Sequence, residues 1–223
     1  MKETVMVIAA HADDEALGCG GTMIRLAAEG KQINVVFMAD GVLSRKSSTQ
    51  NHLKLRKRAA EKAQKLLGSE SSTFLNLPDN QMDQVSFLTI VQKLELLIKK
   101  YKPKAVFTHF HGDLNVDHRI TQQAVMTACR PLPGCPVKKI YGFEVPSSTD
   151  WAAPGEAPFS PAFFVDIGPF LKKKIKALEA YSMEMREKPH ARSMNHVEAL
   201  ARHRGNSIGV EAAEAFVVYR HIQ

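Results

Sequence analysis

The sequence predicts an α/β fold, a single domain whose mostly parallel sheet is flanked by helices. Three observations lead there. Short apolar runs alternate with longer segments of helical period, the pattern of repeated strand–helix–strand units. A chain of 223 residues suits one such domain, and no repeat, low-complexity tract or linker divides it, so residues 1–223 read as one unit. Two polar clusters follow apolar runs directly, at the strand ends where open α/β sheets place their ligands.

The elements read in order. Val5–Ala10 is a first strand, and Gly18-Cys19-Gly20-Gly21 opens a helix through Met23, Ile24, Leu26 and Ala27 that Gly30 stops. Ile33–Ala39 is the second strand, followed by a polar loop over Asp40–Asn51. Helical spacing runs from Leu53 to Leu67, with Gly68 as its C-cap. Thr73–Leu77 is a third strand ending in the turn signal Pro78-Asp79-Asn80. Val85–Tyr101 is an amphipathic helix closed by Pro103, Ala105–His109 is the fourth strand, and Phe110–Asp117 is a second polar loop. A helix from His118 to Cys129 runs into a proline-rich break, and Ile140–Val145 reads as a fifth strand. Ser147–Ser160 is an exposed loop or lid, with Trp151 and Phe159 placed to cap a ligand by stacking. An edge strand (Phe163–Ile167), two helices (Leu171–Tyr181, Val197–His203) and a last strand (Phe216–Tyr219) complete the chain.

Composition narrows the class. Hydrophobic residues at 44% and charged residues at 24% suit a soluble globular domain with a real core. No run approaches the roughly 18 apolar residues of a membrane-spanning helix, so no stable membrane insertion is expected. Met1-Lys2-Glu3-Thr4 lacks the marks of a signal peptide. Cys19, Cys129 and Cys135 are odd in number and form no paired CxxC spacing, which predicts free thiols and a cytoplasmic setting. The formal charge of +7 gathers on helices, at Lys54, Arg56, Lys57 and Arg58 and again at Lys172, Lys173, Lys174 and Lys176. Without zinc-finger spacing, an aromatic RNA-binding strand or a helix-turn-helix signal, these cations read as solvated helix faces and exclude a nucleic-acid partner. An anionic small substrate is the middle reading.

The chemistry lies in the two clusters. Ala10-His11-Ala12-Asp13-Asp14-Glu15 presents one imidazole and three carboxylates within six residues, a costly burial unless paired or metal-bound. Thr108-His109-Phe110-His111-Gly112-Asp113-Leu114-Asn115-Val116-Asp117-His118-Arg119 follows the fourth strand. Parallel strands end on one edge, so the two clusters converge. A histidine and an aspartate from the first, with a histidine from the second, would make the three-ligand set of a catalytic zinc. Which of the adjacent aspartates would bind is open on these grounds.

His11-Ala12-Asp13-Asp14-Glu15 resembles the HPDDE motif of the PIG-L/LmbE family of zinc-dependent N-deacetylases, and Asn115-Val116-Asp117-His118-Arg119 resembles its second motif. Gly18-Cys19-Gly20-Gly21, the Arg56…Leu67-Gly68 helix, Pro78-Asp79 and Arg204-Gly205…Gly209…Ala213-Glu214-Ala215-Phe216 extend the likeness along nearly the whole chain. The resemblance implies a Rossmann-like domain in which His11, Asp14 and His118 hold Zn2+ and Asp13 is the general base. It implies an acetamido sugar or sugar conjugate as substrate, contacted by Arg56, with self-association as a homo-oligomer expected. Asp117 would orient a metal-bound histidine. His109 and His111 are further candidate substrate contacts.

Two departures stand out. The family's usual proline is Ala12 here, which frees a φ angle and removes no ligand. Many members carry a histidine at the position of Asn115, where asparagine can donate a hydrogen bond to an oxyanion but delivers no proton at neutral pH. The proton for the leaving amine is therefore left among Asp13, His109 and His111. Competing signals are weaker. Gly205-Asn206-Ser207-Ile208-Gly209 matches the serine-hydrolase elbow, but the fourteen residues after Gly209 leave no room for the rest of that fold. Gly18–Gly21 lacks dinucleotide spacing and sits beside an acidic loop that would repel a pyrophosphate. A non-catalytic sugar- or metal-binding protein of the same fold is the remaining alternative.

Overall fold

The computed structural model describes residues 2–41, 50–153 and 157–223. Its centre is a seven-stranded sheet of β1 (Thr4–Ala9), β2 (Gln32–Ala39), β3 (Ser71–Leu77), β4 (Ala105–His109), β5 (Lys139–Phe143), β6 (Phe163–Asp166) and β7 (Ala213–His221). The order is β3-β2-β1-β4-β5-β7-β6. The first five strands run parallel, and β7 lies antiparallel between β5 and β6.

The strands are apolar on both faces because both faces are covered. Helices α1 (Asp14–Ala28), α2 (Gln50–Leu67) and α5 (Leu171–Glu179) pack on one face against Val5, Val7, Phe37 and Phe107. On the other face, α3 (Phe87–Tyr101) and α4 (Val116–Ala128) cover Met6, Ile8, Val36 and Val106. Each such fully buried side chain contributes roughly 1.5–3 kcal/mol, which fixes the register of every strand between the two layers. The last helix, α6 (Met194–Asn206), packs beside β7. Among the described residues no helix is long and apolar enough to cross a membrane, and the three cysteines are free thiols.

Several boundaries differ from expectation for local reasons. The first helix starts at Asp14, four residues before the glycine run, and breaks at Cys19 (φ −144°, ψ 21°) instead of beginning there. The glycines permit close packing: a Cβ on Gly18 would run into the Phe143 ring, and one on Gly21 would lie 2.7 Å from Ile167. The last strand is nine residues long and internal to the sheet. Met194 extends the last helix forward because Ser193 caps it, accepting from the His196 N–H. Residues 42–49 of the polar loop and 154–156 of the expected lid lie outside the described residues.

The stretch that mimics a serine-hydrolase elbow is the end of α6. Ser207 Oγ donates to Arg204 O at 2.7 Å, so its hydroxyl is part of the helix end. A Cβ on Gly205 would meet the Ala212 backbone at 2.6 Å. Gly205→Ala is expected to cost about 1–3 kcal/mol through overpacking, read as a lowered urea midpoint. An unchanged midpoint would show that this contact has room to give.

Candidate metal centre

Strand order reverses between β1 and β4, and the crevice at their carboxyl ends is where such folds place a site. His11, Asp13 and Asp14 leave β1 there, Asp79 follows β3, and His109, Asp113, Asp117 and His118 follow β4. All eight side chains are buried.

They form a chain of alternating carboxylates and imidazoles. Asp117 Oδ2 accepts from His11 Nε2 at 3.1 Å, and His11 Nδ1 lies 3.3 Å from Asp14 Oδ2. His118 Nε2 lies 3.2 Å from the same Asp14 oxygen, and His118 Nδ1 donates to Asp113 Oδ2 at 2.9 Å. Thus each histidine has one nitrogen tied to an outer carboxylate and the other turned toward Asp14. A carboxylate on the far nitrogen fixes the tautomer and leaves the inward lone pair for a ligand. Asp117 also accepts from the N–H groups of Asn80 and Met82, which anchors it between the β3 loop and α4.

His11, Asp14 and His118 present one ligand atom each, all within 4.8 Å of one another. Two imidazole nitrogens and a carboxylate oxygen are a donor set suited to zinc with a position left open. Asp14 Oδ1 and His118 Nε2 are buried without a hydrogen-bond partner. Burying such atoms unpaired is costly, so the residues fit a cation. Burial opposes charge on His11 and His118, yet their carboxylate partners outweigh it and raise both pKa values. Burial likewise opposes charge on Asp14, but the neighbouring His118 and His11 hold its carboxyl well below the usual range.

Asp13 stands beside this set in an unusual backbone conformation, φ 147° and ψ −28°. A non-glycine residue held there stores roughly 1–3 kcal/mol of strain. Its Oδ1 accepts from Arg56 Nη2 at 3.2 Å and its Oδ2 from Arg192 Nη1 at 2.8 Å. Burial pushes the Asp13 carboxyl up, and the two guanidinium groups only partly reverse that shift. Arg192 also donates to Ser147 Oγ at 2.7 Å, joining the loop after β5 to the segment before α6.

The other expected site residues have different surroundings. Arg56 is buried and pairs with Asp13 and with Glu184, the latter at 3.0 Å. Asn115 caps α4, accepting from the Asp117 N–H at 2.8 Å, and its Nδ2 donates to Asn80 at 3.0 Å. His109 is 0% exposed and stacks under His118 at 3.9 Å. Its Nε2 accepts from the Ala10 N–H at 2.8 Å, and burial with the nearby charge of His118 lowers its pKa to about 4. As placed, it is a neutral ring sealed beneath a ligand candidate and makes no surface for a substrate. His111 is exposed and rests on Phe110 and Tyr219. Of the lid aromatics, Trp151 is 51% exposed and meets His190 edge-on, whereas Phe159 is held by Phe110 and Arg204.

Sequence reasoning gave no role to Arg192 or Asp113. Asp113 stands in the second cluster, five residues before His118, so its spacing was a usable signal. Asp113→Ala is expected to weaken zinc binding about 10–100-fold, the usual cost of removing such an outer carboxylate. Chelator competition reads it, and an unchanged affinity would remove the orienting role. Arg192 lies in a cation-rich segment around Pro189 with no periodicity to mark it.

Comparisons with known proteins follow the same lines. The family pattern described as PIG-L, GlcNAc-PI de-N-acetylase, matches residues 6–129. An Escherichia coli (strain K12) protein named uncharacterized deacetylase YaiS is 31% identical over 158 residues, 66% of this chain and 76% of its own length. A Bacillus cereus protein named probable N-acetyl-alpha-D-glucosaminyl L-malate deacetylase 2 is 24% identical over 206 residues, 87% of this chain and 91% of its own. The crystal structure of N,N'-diacetylchitobiose deacetylase from Pyrococcus horikoshii superposes with a TM-score of 0.80 at 21% identity. That match covers 98% of this chain and 84% of the other, and at this identity it speaks to the fold.

Proposed function

The chain belongs to the PIG-L family of GlcNAc-PI de-N-acetylase type, and from that premise we propose that it is a zinc-dependent N-deacetylase of an acetamido sugar or sugar conjugate. The observation that carries this reading is the triad of His11, Asp14 and His118, with partnerless buried atoms on two members and Asp13 alongside. The names of the relatives, deacetylases of N-acetylglucosaminyl malate and of diacetylchitobiose, support the substrate class.

His11, Asp14 and His118 would hold the ion, with Asp117 and Asp113 keeping the two rings turned inward. Bound there, zinc would supply a Lewis acid for the acetyl carbonyl and bring the pKa of a water toward 7. Asp13 takes the proton of the attacking water, its basicity raised by burial. As the C–N bond breaks, the amine needs a proton, and this reading assigns the return to the same carboxyl. His109 is enclosed and engaged through its Nε2, and the Asn115 amide is committed to the α4 cap and Asn80. Acetate and the free amine are the products. Trp151 offers the exposed ring on which a sugar face can stack.

The test is acetate release by zinc-reconstituted protein across N-acetylglucosamine, chitooligosaccharides, nucleotide sugars and acetamido-sugar glycosides, soluble and lipid-linked. Acetate from at least one, and none with His118→Ala, is expected. Zinc retained by the wild type without acetate from any substrate would turn the reading to a binding protein of this fold.

A further inference from the structure

Glu15 is a buried carboxylate that the reaction above does not use. Three groups converge on it. Tyr181 donates through its hydroxyl to Oε1 at 2.6 Å, and Gln64 Nε2 donates to the same oxygen at 2.7 Å. The backbone N–H of Asp13 donates to Oε2 at 3.0 Å. Tyr181 follows α5 and Gln64 lies in the last turns of α2, so two helices of one layer grip the carboxylate from behind while it grips the Asp13 peptide in front.

That peptide is the one whose φ of 147° is foreign to L-residues. Glycine would adopt it without strain, but glycine has no side chain to reach Arg56 and Arg192. The chain therefore needs both the carboxylate and the strained backbone, and something rigid must hold the second. The Asp13 C=O is fixed by Ala16 N–H and Leu17 N–H, at 3.1 and 2.9 Å. Its N–H points away from the helix, and Glu15 is the acceptor it meets.

We propose that Glu15 is a positioning residue: held by Tyr181 and Gln64, it fixes the Asp13 backbone so that the Asp13 carboxylate stands between Arg56 and Arg192 beside the metal triad. The proposal rests on Asp13 being the base. The hydrogen bonds of the Glu15 side chain go to Tyr181, Gln64 and the Asp13 N–H and to none of the candidate ligands, so its effect is expected to pass through Asp13.

Glu15→Met removes the acceptor at similar length, and Glu15→Gln restores an acceptor oxygen. The expected result is a kcat at least 100-fold lower in Glu15→Met, with KM and zinc stoichiometry within about twofold, and recovery to within about tenfold in Glu15→Gln. In an Asp13→Asn background Glu15→Met has no further effect, because the group it positions is already gone. Equal losses in both backgrounds, or no rescue by glutamine, would overturn the proposal in favour of a general structural role. Should Glu15→Met not fold, Tyr181→Phe loosens the same grip and is expected to lower kcat about threefold to tenfold with KM unchanged; full activity there would also overturn it. A crystal structure of Glu15→Met, or of Tyr181→Phe in its place, reads the proposal without any substrate. An Asp13 φ that leaves the positive region, with loss of the arginine contacts, supports it even if no acetamido sugar is hydrolysed, and an unmoved Asp13 sinks it even if one is.

Discussion

Asp13→Asn is expected to lower kcat about 100- to 10,000-fold while one zinc per chain is retained. General-base assistance is worth that much, and the substitution touches none of the three candidate ligands. Asparagine keeps an oxygen for Arg56 or Arg192 but takes no proton from water at neutral pH. The split between activity and metal content is the informative part. A variant that loses both has lost the architecture of the loop, whereas one within about tenfold of wild-type kcat would mean that Asp13 serves only as a counter-ion to the two arginines.

The second large effect is on stability. Where α1 breaks at Cys19, the helix frees a carbonyl on one side and amides on the other. Lys174 Nζ donates to Leu17 O at 2.8 Å and to Glu214 Oε1 at 2.6 Å. The Glu214 carboxylate accepts from the N–H groups of Gly21 and Thr22 at 2.8 and 2.7 Å. This buried ion pair thus serves as C-cap for the first piece of α1 and N-cap for the second. Removing one partner leaves an uncompensated buried charge, so Lys174→Met is expected to cost about 3–5 kcal/mol. At roughly 2–4 °C per kcal/mol for a chain of this size, the melting temperature falls by about 6–20 °C. Lys174→Met with Glu214→Gln should lose clearly less than the sum of the two single changes. A melting temperature unmoved by Lys174→Met would show that the break is held by packing alone.

That pair explains the main misreading of the sequence. Gly18-Cys19-Gly20-Gly21 is a poor helix interior by propensity, so placing the helix start there was the correct local inference. The helix nevertheless continues through it, because Glu214 and Lys174 satisfy the groups that the break exposes. Those partners stand 193 and 157 residues away from Gly21 and Leu17. The placement of β7 between β5 and β6 escapes the sequence in the same manner. An antiparallel insertion leaves no mark on an alternating strand and helix pattern.

The frame and the meeting of the two polar clusters follow from the sequence alone. Two-faced apolar runs dictate buried parallel strands, and the clusters that follow β1 and β4 must then share one edge. His11, Asp13, Asp14, Asp117 and His118 were legible there because strand and motif lie together in the chain. The surroundings of those residues come from long-range packing, which sets Asp113 behind His118, Arg192 on Asp13, and Tyr181 with Gln64 behind Glu15. It also withdrew His109 from the surface by stacking it beneath His118. The physical reason is one of range. Periodicity and turn chemistry act over a few residues, while the partner of a buried polar atom is whichever group the packed layers bring within about 3 Å. Between Tyr181 and Glu15 that distance spans 166 residues of sequence, and between Arg192 and Asp13 it spans 179.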